Sequence, residues 1–362
     1  MIGMLAPGSE VKRWLLWVAV PYAAAARFRV TLYEWGWLAR RKLPVPVVSI
    51  GNLTVGGTGK TPVVIRVAEW LLAEGKRIAV LSRGYRRMSR DSQLLVSDGT
   101  RMLAGPLEAG DEPYLIARRC PRAVVAVGPD RYNLGRWVLN RFPVDCILLD
   151  DGFQHMALHR DLNVLLVDAT DLPGLDAVVP AGRMREPADA AMRADLIVVT
   201  RANDSRQVDL VLRRLQGIPA AADPVRIVFR AEGVVSVTTS QIQPPHWCEG
   251  KTAVLCSGIA HAGSFRGTAE SLGLTVLDEV IYRDHHHYGH EDISRLRARA
   301  ADTKADMILT TEKDAGKLAL LLTAADSNWW AVRLATEIVA GEPRLRESLL
   351  QLRHRTPVEV CA

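Results

Sequence analysis

The run Val47-Val48-Ser49-Ile50-Gly51-Asn52-Leu53-Thr54-Val55-Gly56-Gly57-Thr58-Gly59-Lys60-Thr61-Pro62 joins an apolar, β-branched segment to a glycine-rich turn that ends in Gly-Lys-Thr. That order can cradle phosphate. Glycines let successive backbone N–H groups converge on an anion, and the helix that follows adds its positive end. Thr54, Val55, Gly56, Gly57, Thr58, Gly59, Lys60 and Thr61 are therefore the expected nucleotide-binding residues. Lys60 would reach the outer phosphates and the Thr61 hydroxyl would serve Mg²⁺. Thr54 stands where the first glycine of G-x-x-x-x-G-K-[ST] belongs, so the match is imperfect.

Further carboxylates, imidazoles and cations sit where such a loop would need them. Asp145-Cys146-Ile147-Leu148-Leu149-Asp150-Asp151 ends an apolar strand in two carboxylates, and Asp150 or Asp151 fits the metal-holding aspartate of a phosphate loop. Asp111, in Gly110-Asp111-Glu112-Pro113, reads by itself as a helix N-cap, although a kinase acting on an alcohol also needs a base. Asp284-His285-His286-His287-Tyr288-Gly289-His290 holds four histidines. Consecutive side chains diverge, so one or two site histidines with exposed neighbours is a better reading than a zinc cluster. Ser82-Arg83-Gly84-Tyr85 and Arg183-Met184-Arg185 supply cations after or between strands, as phosphate ligands or as solvated charge. Thr311-Glu312-Lys313-Asp314 approximates the guanine-reading [NT]-K-x-D with its lysine one position late, which favours ATP over GTP.

The elements that must position these residues follow from hydrophobic runs. Strands are expected at 45–50, 77–81, 123–127, 145–149, 163–167 and 195–199, with helices starting near Thr61, Asp111, Pro129 and Glu186. This is an α/β pattern: a P-loop-containing, doubly wound, mostly parallel sheet with its site at the strand C-termini. Residues 202–250 read as a connecting region. A second, smaller α/β unit follows, with strands at 252–256, 275–279, 306–310 and 330–334 and helices near 262–271, 291–301 and 344–353. The expected division is an arm at 1–43, a nucleotide-binding domain at 44–225 and a smaller domain at 226–362 closing an interdomain cleft.

A chain of 362 residues, 48% hydrophobic, can bury a large core. Cys120, Cys146, Cys248, Cys256 and Cys361 show no paired spacing, which argues against a disulfide framework and for a reducing compartment. Most of the net charge of +6 lies in residues 1–43, where Lys12, Arg13, Arg27, Arg29, Arg40, Arg41 and Lys42 face only Glu10 and Glu34. Basicity thus belongs to the arm, and no nucleic-acid partner is expected of the body. Trp14, Val18, Tyr22, Ala25, Phe28, Leu32 and Trp35 recur at helical spacing, and Pro21 should kink or split that helix. The uncharged run from Trp14 to Ala26 is too short to span a bilayer, so an amphipathic helix lying in an anionic membrane surface is expected.

Taken in order, Gly51–Pro62, Ser82-Arg83-Gly84-Tyr85, Gly110-Asp111-Glu112-Pro113, Asp150-Asp151-Gly152-Phe153-Gln154-His155, Arg185-Glu186, Asp284-His285 and Thr311-Glu312-Lys313-Asp314 resemble the tetraacyldisaccharide 4′-kinases of Gram-negative lipid A synthesis. Thr54 in place of the first loop glycine is a mark of that family too. The resemblance implies transfer of the ATP γ-phosphoryl to the 4′-hydroxyl of an acylated glucosamine disaccharide 1-phosphate, at the cytoplasmic face of the inner membrane. It implies Asp111 as base with His285 as its partner and Lys60 on the phosphates. Thr61, Asp150 and Asp151 would lie on the Mg²⁺ side, Glu112 would assist at the metal or the base, and Arg83, Tyr85, Gln154, His155 and Arg185 would contact substrate. The other classes consistent with the loop are a P-loop GTPase or metallochaperone-like module, and a membrane-surface scaffold with a vestigial loop.

Overall fold

Short runs of Val, Ile, Leu and Ala that are apolar at nearly every position become strands covered on both faces, the condition a parallel sheet imposes. The computed structural model describes residues 13–352 except His261; Glu10, Lys12, the Arg13 side chain and Cys361 lie outside the described parts. In chain order the elements are α1 (Leu16–Glu34), β1 (Val47–Asn52), α2 (Lys60–Ala73), β2 (Ile78–Ser82), β3 (Leu94–Asp98), α3 (Pro106–Ala109), α4 (Asp111–Arg119), β4 (Val124–Val127), α5 (Arg131–Leu139), β5 (Cys146–Asp150), β6 (Leu162–Asp168), β7 (Leu196–Thr200), α6 (Ser205–Arg214) and β8 (Val225–Ser236). They continue as β9 (Ile242–Gln243), β10 (Thr252–Ser257), α7 (Ala262–Ser271), β11 (Thr275–Ile281), α8 (His290–Thr303), β12 (Met307–Thr311), α9 (Glu312–Leu318), β13 (Trp329–Ala340) and α10 (Glu342–Gln351). The result is a mixed α/β fold whose long sheets are mostly parallel.

The chain divides into two units in a way that a linear cut does not capture. One unit takes residues up to 83, 122–228 and 337 onward; the other takes 84–121 and 229–336. The segment carrying Asp111 therefore belongs with the later half of the chain, and α10 belongs with the earlier half. This differs from the expected boundary near 225, because β8 and β13 each run through a boundary instead of stopping at a linker.

In the first unit, parallel strands run in the order β8-β7-β6-β1-β5-β2-β4. β1 lies between β6 and β5, so the turn after it sits among strand C-terminal ends. Leu53, Phe153, Leu165, Val167, Ile197 and Val199 are buried beneath it in one cluster. In the second unit β11-β10-β12-β13 are parallel. Alternate residues of these strands feed opposite cores: Ala253, Leu255, Leu309 and Trp330 on one side, Val254, Cys256, Ile308 and Trp329 on the other.

Three local expectations need correction. The connecting region 202–250 contains α6 and the twelve-residue β8. Asp204 caps α6 by accepting the Arg206 N–H, and Arg226, Arg230 and Glu232 break the apolar run that would have marked β8. The helix expected near Glu186 is a short 3₁₀ segment, Ala188–Arg193. α1 continues through Pro21, and its apolar side chains are not gathered on one face. Ala19 packs on Ala177, Val178, Ala181 and Met184, while Trp14, Trp17, Val18, Val20, Phe28, Trp35 and Trp37 are exposed. Tyr22 donates to the Arg185 carbonyl at 2.9 Å and Arg27 pairs with Asp189 at 2.8 Å, tying α1 to the first unit.

Candidate active site

The phosphate loop runs from the end of β1 into α2, which begins at Lys60. Its shape is fixed by side chains from both flanks. Asn52 Nδ2 donates to the Thr54 carbonyl at 2.8 Å, and Lys60 Nζ donates to Asn52 Oδ1 at 3.1 Å. Thr200 Oγ1 donates to the Thr58 carbonyl at 2.9 Å, and Arg201, paired with Asp168, donates to the Gly57 carbonyl at 3.1 Å. Loop carbonyls are thereby turned onto protein donors at the C-terminal end of β7. Thr200 and Arg201 were not anticipated, because a Thr-Arg pair after a strand carries no signal beyond ordinary strand-end polarity.

Asp150 and Asp151 follow β5 in the same unit but sit differently. Asp150 is buried and its Oδ2 accepts the Ser82 hydroxyl at 2.9 Å. Asp151 has a left-handed backbone, φ 55°, and faces two cations, Arg185 Nη1 at 2.7 Å and Lys60 Nζ at 3.7 Å. Burial raises the affinity of Asp151 for a proton, but Lys60 and Arg185 outweigh it and hold the carboxyl below its usual range. Gln154 Nε2 donates to the Asn52 carbonyl at 2.9 Å, so Gln154 supports the base of the loop. His155 is half-buried, and burial, reinforced by the Arg131 charge, pushes its imidazole down to about 4. Arg83 is exposed just after β2.

Among the described residues no group of three or more His, Cys, Asp or Glu side chains converges to hold a metal. The chemistry of the donors present still fits Mg²⁺, which keeps several waters and takes one or two protein ligands beside substrate phosphates. Thr61 opens α2 next to Lys60, Asp150 ends the strand beside β1, and Asp151 Oδ1 is buried without a hydrogen-bond partner. Glu112, expected on the metal side, lies in the second unit and pairs with Lys313 at 3.0 Å.

That second unit holds the other candidate groups. Asp111 is not the N-cap its sequence suggested: Gly110 holds that position, Asp111 is the first residue of α4, and its side chain is turned into a charged cluster. Asp111 Oδ2 accepts from His285 Nδ1 at 3.1 Å and from Lys317 Nζ at 2.9 Å. Lys313 Nζ lies 3.3 Å from His285 Nε2, 3.0 Å from Glu112 and 3.1 Å from Asp284. An ammonium can only donate, so Nε2 must accept and the proton of His285 sits on Nδ1, directed at Asp111. Burial works against the Asp111 carboxylate, but the His285 hydrogen bond and the Lys317 charge prevail and hold its pKa below the ordinary value. Burial likewise works against the Lys313 ammonium, yet Glu112 and Asp284 raise its pKa.

Tyr85 stands edge-on to His285 with ring centroids 5.3 Å apart. His285 has φ 61°, so both it and Asp151 hold left-handed conformations that non-glycine residues adopt at a cost. His286 is occupied otherwise, hydrogen-bonded to Asp292 at 3.0 Å and stacked on Tyr282 at 4.4 Å, while His287 and His290 are exposed. In the Thr311-Glu312-Lys313-Asp314 motif, Lys313 serves this cluster. Asp314 is fully buried, accepting from the Gly258 N–H at 3.0 Å and the Thr311 hydroxyl at 2.8 Å. Both side chains are taken up by these contacts within the second unit. Lys317 escaped the sequence reading because a lysine on a short helix ordinarily signals solvent.

Comparison with known proteins converges on one family. The model of tetraacyldisaccharide-1-P 4′-kinase matches residues 11–354. The tetraacyldisaccharide 4′-kinase of Anaeromyxobacter sp. (strain Fw109-5) is 41% identical over 91% of this chain and 88% of its own length. That of Geobacter metallireducens is 40% identical over 84% and 88%. The crystal structure of LpxK from Aquifex aeolicus in complex with ATP matches with a TM-score of 0.76 at 31% identity, covering 94% of this chain and 99% of that one. These matches do not favour the GTPase, metallochaperone or scaffold readings. The chain belongs to the tetraacyldisaccharide 4′-kinase family, whose members are phosphotransferases of lipid A synthesis.

Proposed function

We propose that this chain carries out the family reaction, ATP-dependent phosphorylation of the 4′-hydroxyl of an acylated glucosamine disaccharide 1-phosphate, with its residues divided by role. Residues 54–61 bind the nucleotide phosphates through loop N–H groups, with Lys60 as the point charge on the transferred group. Thr61, with Asp150 or Asp151, would hold Mg²⁺, which on binding neutralises charge on the phosphate oxygens. Arg185 keeps Asp151 ionised and in place. Asp111 accepts the proton of the sugar hydroxyl as its oxygen bonds to the γ-phosphorus and the bond to the ADP oxygen breaks. His285 orients Asp111 by donating from Nδ1. Arg83, Tyr85 and His155 are assigned to the disaccharide, and Gln154 supports the base of the loop.

The observation that carries the assignment of the base is the hydrogen bond between Asp111 and His285, residues 174 positions apart in sequence. A helix N-cap needs no such partner. The exposed tryptophans in and around α1, Trp14, Trp17, Trp35 and Trp37, with Arg27 and Arg29 between them, support contact with an anionic membrane surface, where an acylated substrate resides. Among the described residues no helix is long and apolar enough to cross a membrane.

Transfer from γ-labelled ATP to tetraacyldisaccharide 1-phosphate in detergent micelles, with Lys60→Ala alongside, tests the proposal. Labelled lipid made by the wild type and a loss of about 100-fold or more in Lys60→Ala are expected. Absence of labelled lipid in the wild type, or an unimpaired Lys60→Ala, would sink it.

A further inference from the structure

Lys317 is a lysine whose side chain is 3% exposed. Desolvating an ammonium is expensive, and it is tolerated only where opposite charge and hydrogen-bond acceptors meet it. Here they come from two sides. Asp111 Oδ2 lies 2.9 Å from Nζ and Asp314 Oδ1 lies 3.6 Å away. The Tyr288 ring centroid is 5.6 Å from the same nitrogen. Asp314 and Lys317 are three residues apart on α9 and so share a face. Asp314 is itself anchored by the Gly258 N–H and the Thr311 hydroxyl, so Lys317 is held from behind by a fixed carboxylate. The helix that carries it can approach α4 closely because residue 316 is glycine: a Cβ there would stand 2.7 Å from Tyr114 Cε1.

The consequence lies in which oxygen of Asp111 is engaged. His285 Nδ1 and Lys317 Nζ both donate to Oδ2, and among the described residues Oδ1 has no hydrogen-bond partner. Two donors on one oxygen fix the carboxylate plane as well as its position. We propose that Lys317 is a positioning residue for phosphoryl transfer, which with His285 clamps Oδ2 of Asp111 and leaves Oδ1 as the atom that takes the sugar hydroxyl proton. This rests on the reading of Asp111 as the proton acceptor. The proton moves from the hydroxyl oxygen to Oδ1 as the oxygen–phosphorus bond forms; Lys317 gives up no proton and touches no substrate.

The test is a double-mutant cycle on the full-length chain, using Lys317→Met, Asp111→Asn and the pair. Labelled ATP and long incubations allow slow residual rates to be read. Lys317→Met should lower kcat about 10–100-fold while KM for ATP and for the lipid stay within about twofold. In the Asp111→Asn background the same substitution should change the residual rate by less than about threefold, because a residue acting through Asp111 has nothing left to act on. Lys317→Gln, polar and uncharged, serves if the methionine variant melts below the assay temperature, and it should fall between wild type and that loss. The proposal is overturned if a folded Lys317→Met or Lys317→Gln protein keeps wild-type kcat. It is equally overturned if the Lys317→Met and Asp111→Asn losses multiply, the mark of a structural lysine. If Asp111→Asn alone retains wild-type kcat, the assignment of the base fails first, an outcome separable from both.

Discussion

Replacing His285 with alanine isolates what the imidazole does for Asp111. The substitution removes one donor to a buried carboxylate and leaves the other, Lys317, in place at 2.9 Å. The lost N–H···carboxylate hydrogen bond is worth about 1.5–3 kcal/mol. If it acts fully in the transition state, kcat falls by about 10–150-fold, at 1.4 kcal/mol per factor of ten. The backbone does not confound the comparison, since alanine bears the same left-handed φ of 61° that histidine does, whereas glycine would relax it. Lys313 retains Glu112 and Asp284, so the cluster keeps its charge balance. The phosphate loop is untouched, and KM for ATP should hold within about twofold. Initial rates with labelled ATP and varied lipid in micelles read both parameters, with melting temperature as the folding control. A kcat within about twofold of wild type, in a preparation where Asp111→Asn is slow, would refute the reasoning that the imidazole orients the base.

Three further outcomes follow from the geometry. Gly51→Ala would place a Cβ 2.8 Å from both the backbone nitrogen and Cβ of Phe153, at the last turn of strand before the phosphate loop. A loss of about 1–3 kcal/mol in denaturant unfolding, with weakened ATP binding, is expected, and an unchanged midpoint would show that the strand yields freely. His155, whose imidazole sits at about 4 when folded against 6.5 unfolded, makes the unfolded state the greater proton binder between those values. Stability should therefore fall by up to about 3 kcal/mol as pH drops from 6.5 to 4, and a loss just as large in His155→Gln would assign it elsewhere. Replacing Trp14, Trp17, Trp35 and Trp37 by serine should release the protein from vesicles containing anionic lipid with little effect on folding, since these side chains are exposed and Trp35 and Trp37 meet each other edge-on. Unchanged co-sedimentation would remove α1 from the membrane account.

What the sequence discloses and what it hides have physical causes. β1, β2, β5 and β7 are legible because burial on both faces demands apolar residues at nearly every position. β8 is not, because its middle carries Arg230 and Glu232 at half-covered or exposed positions. The phosphate loop is legible because its chemistry is local, held within the dozen residues from Gly51 to Pro62. The proposed base is only half legible. Asp111 satisfies helix N-terminal preferences whatever else it does, and its partners His285 and Lys317 lie 174 and 206 positions away. Spacing cannot disclose a contact of that kind. Motif order picked out His285, whereas Lys317 lies in no motif and becomes visible only through its burial. The same limit explains the unit boundary: residues 84–121 join the later half through packing of α4 with α9, which no composition shift announces.

The central claim is that the chain moves the γ-phosphoryl of ATP to one hydroxyl of a lipid disaccharide, using Asp111 as the proton acceptor. The most direct measurement is mass and phosphorus NMR analysis of the lipid product from wild type and Asp111→Asn after incubation with ATP, Mg²⁺ and tetraacyldisaccharide 1-phosphate. A single new phosphomonoester at the 4′ position is expected from the wild type, with its rate of appearance reduced about 10²–10⁴-fold in Asp111→Asn. ATP hydrolysis without a phosphorylated lipid, or equal rates from the two proteins, would contradict the account.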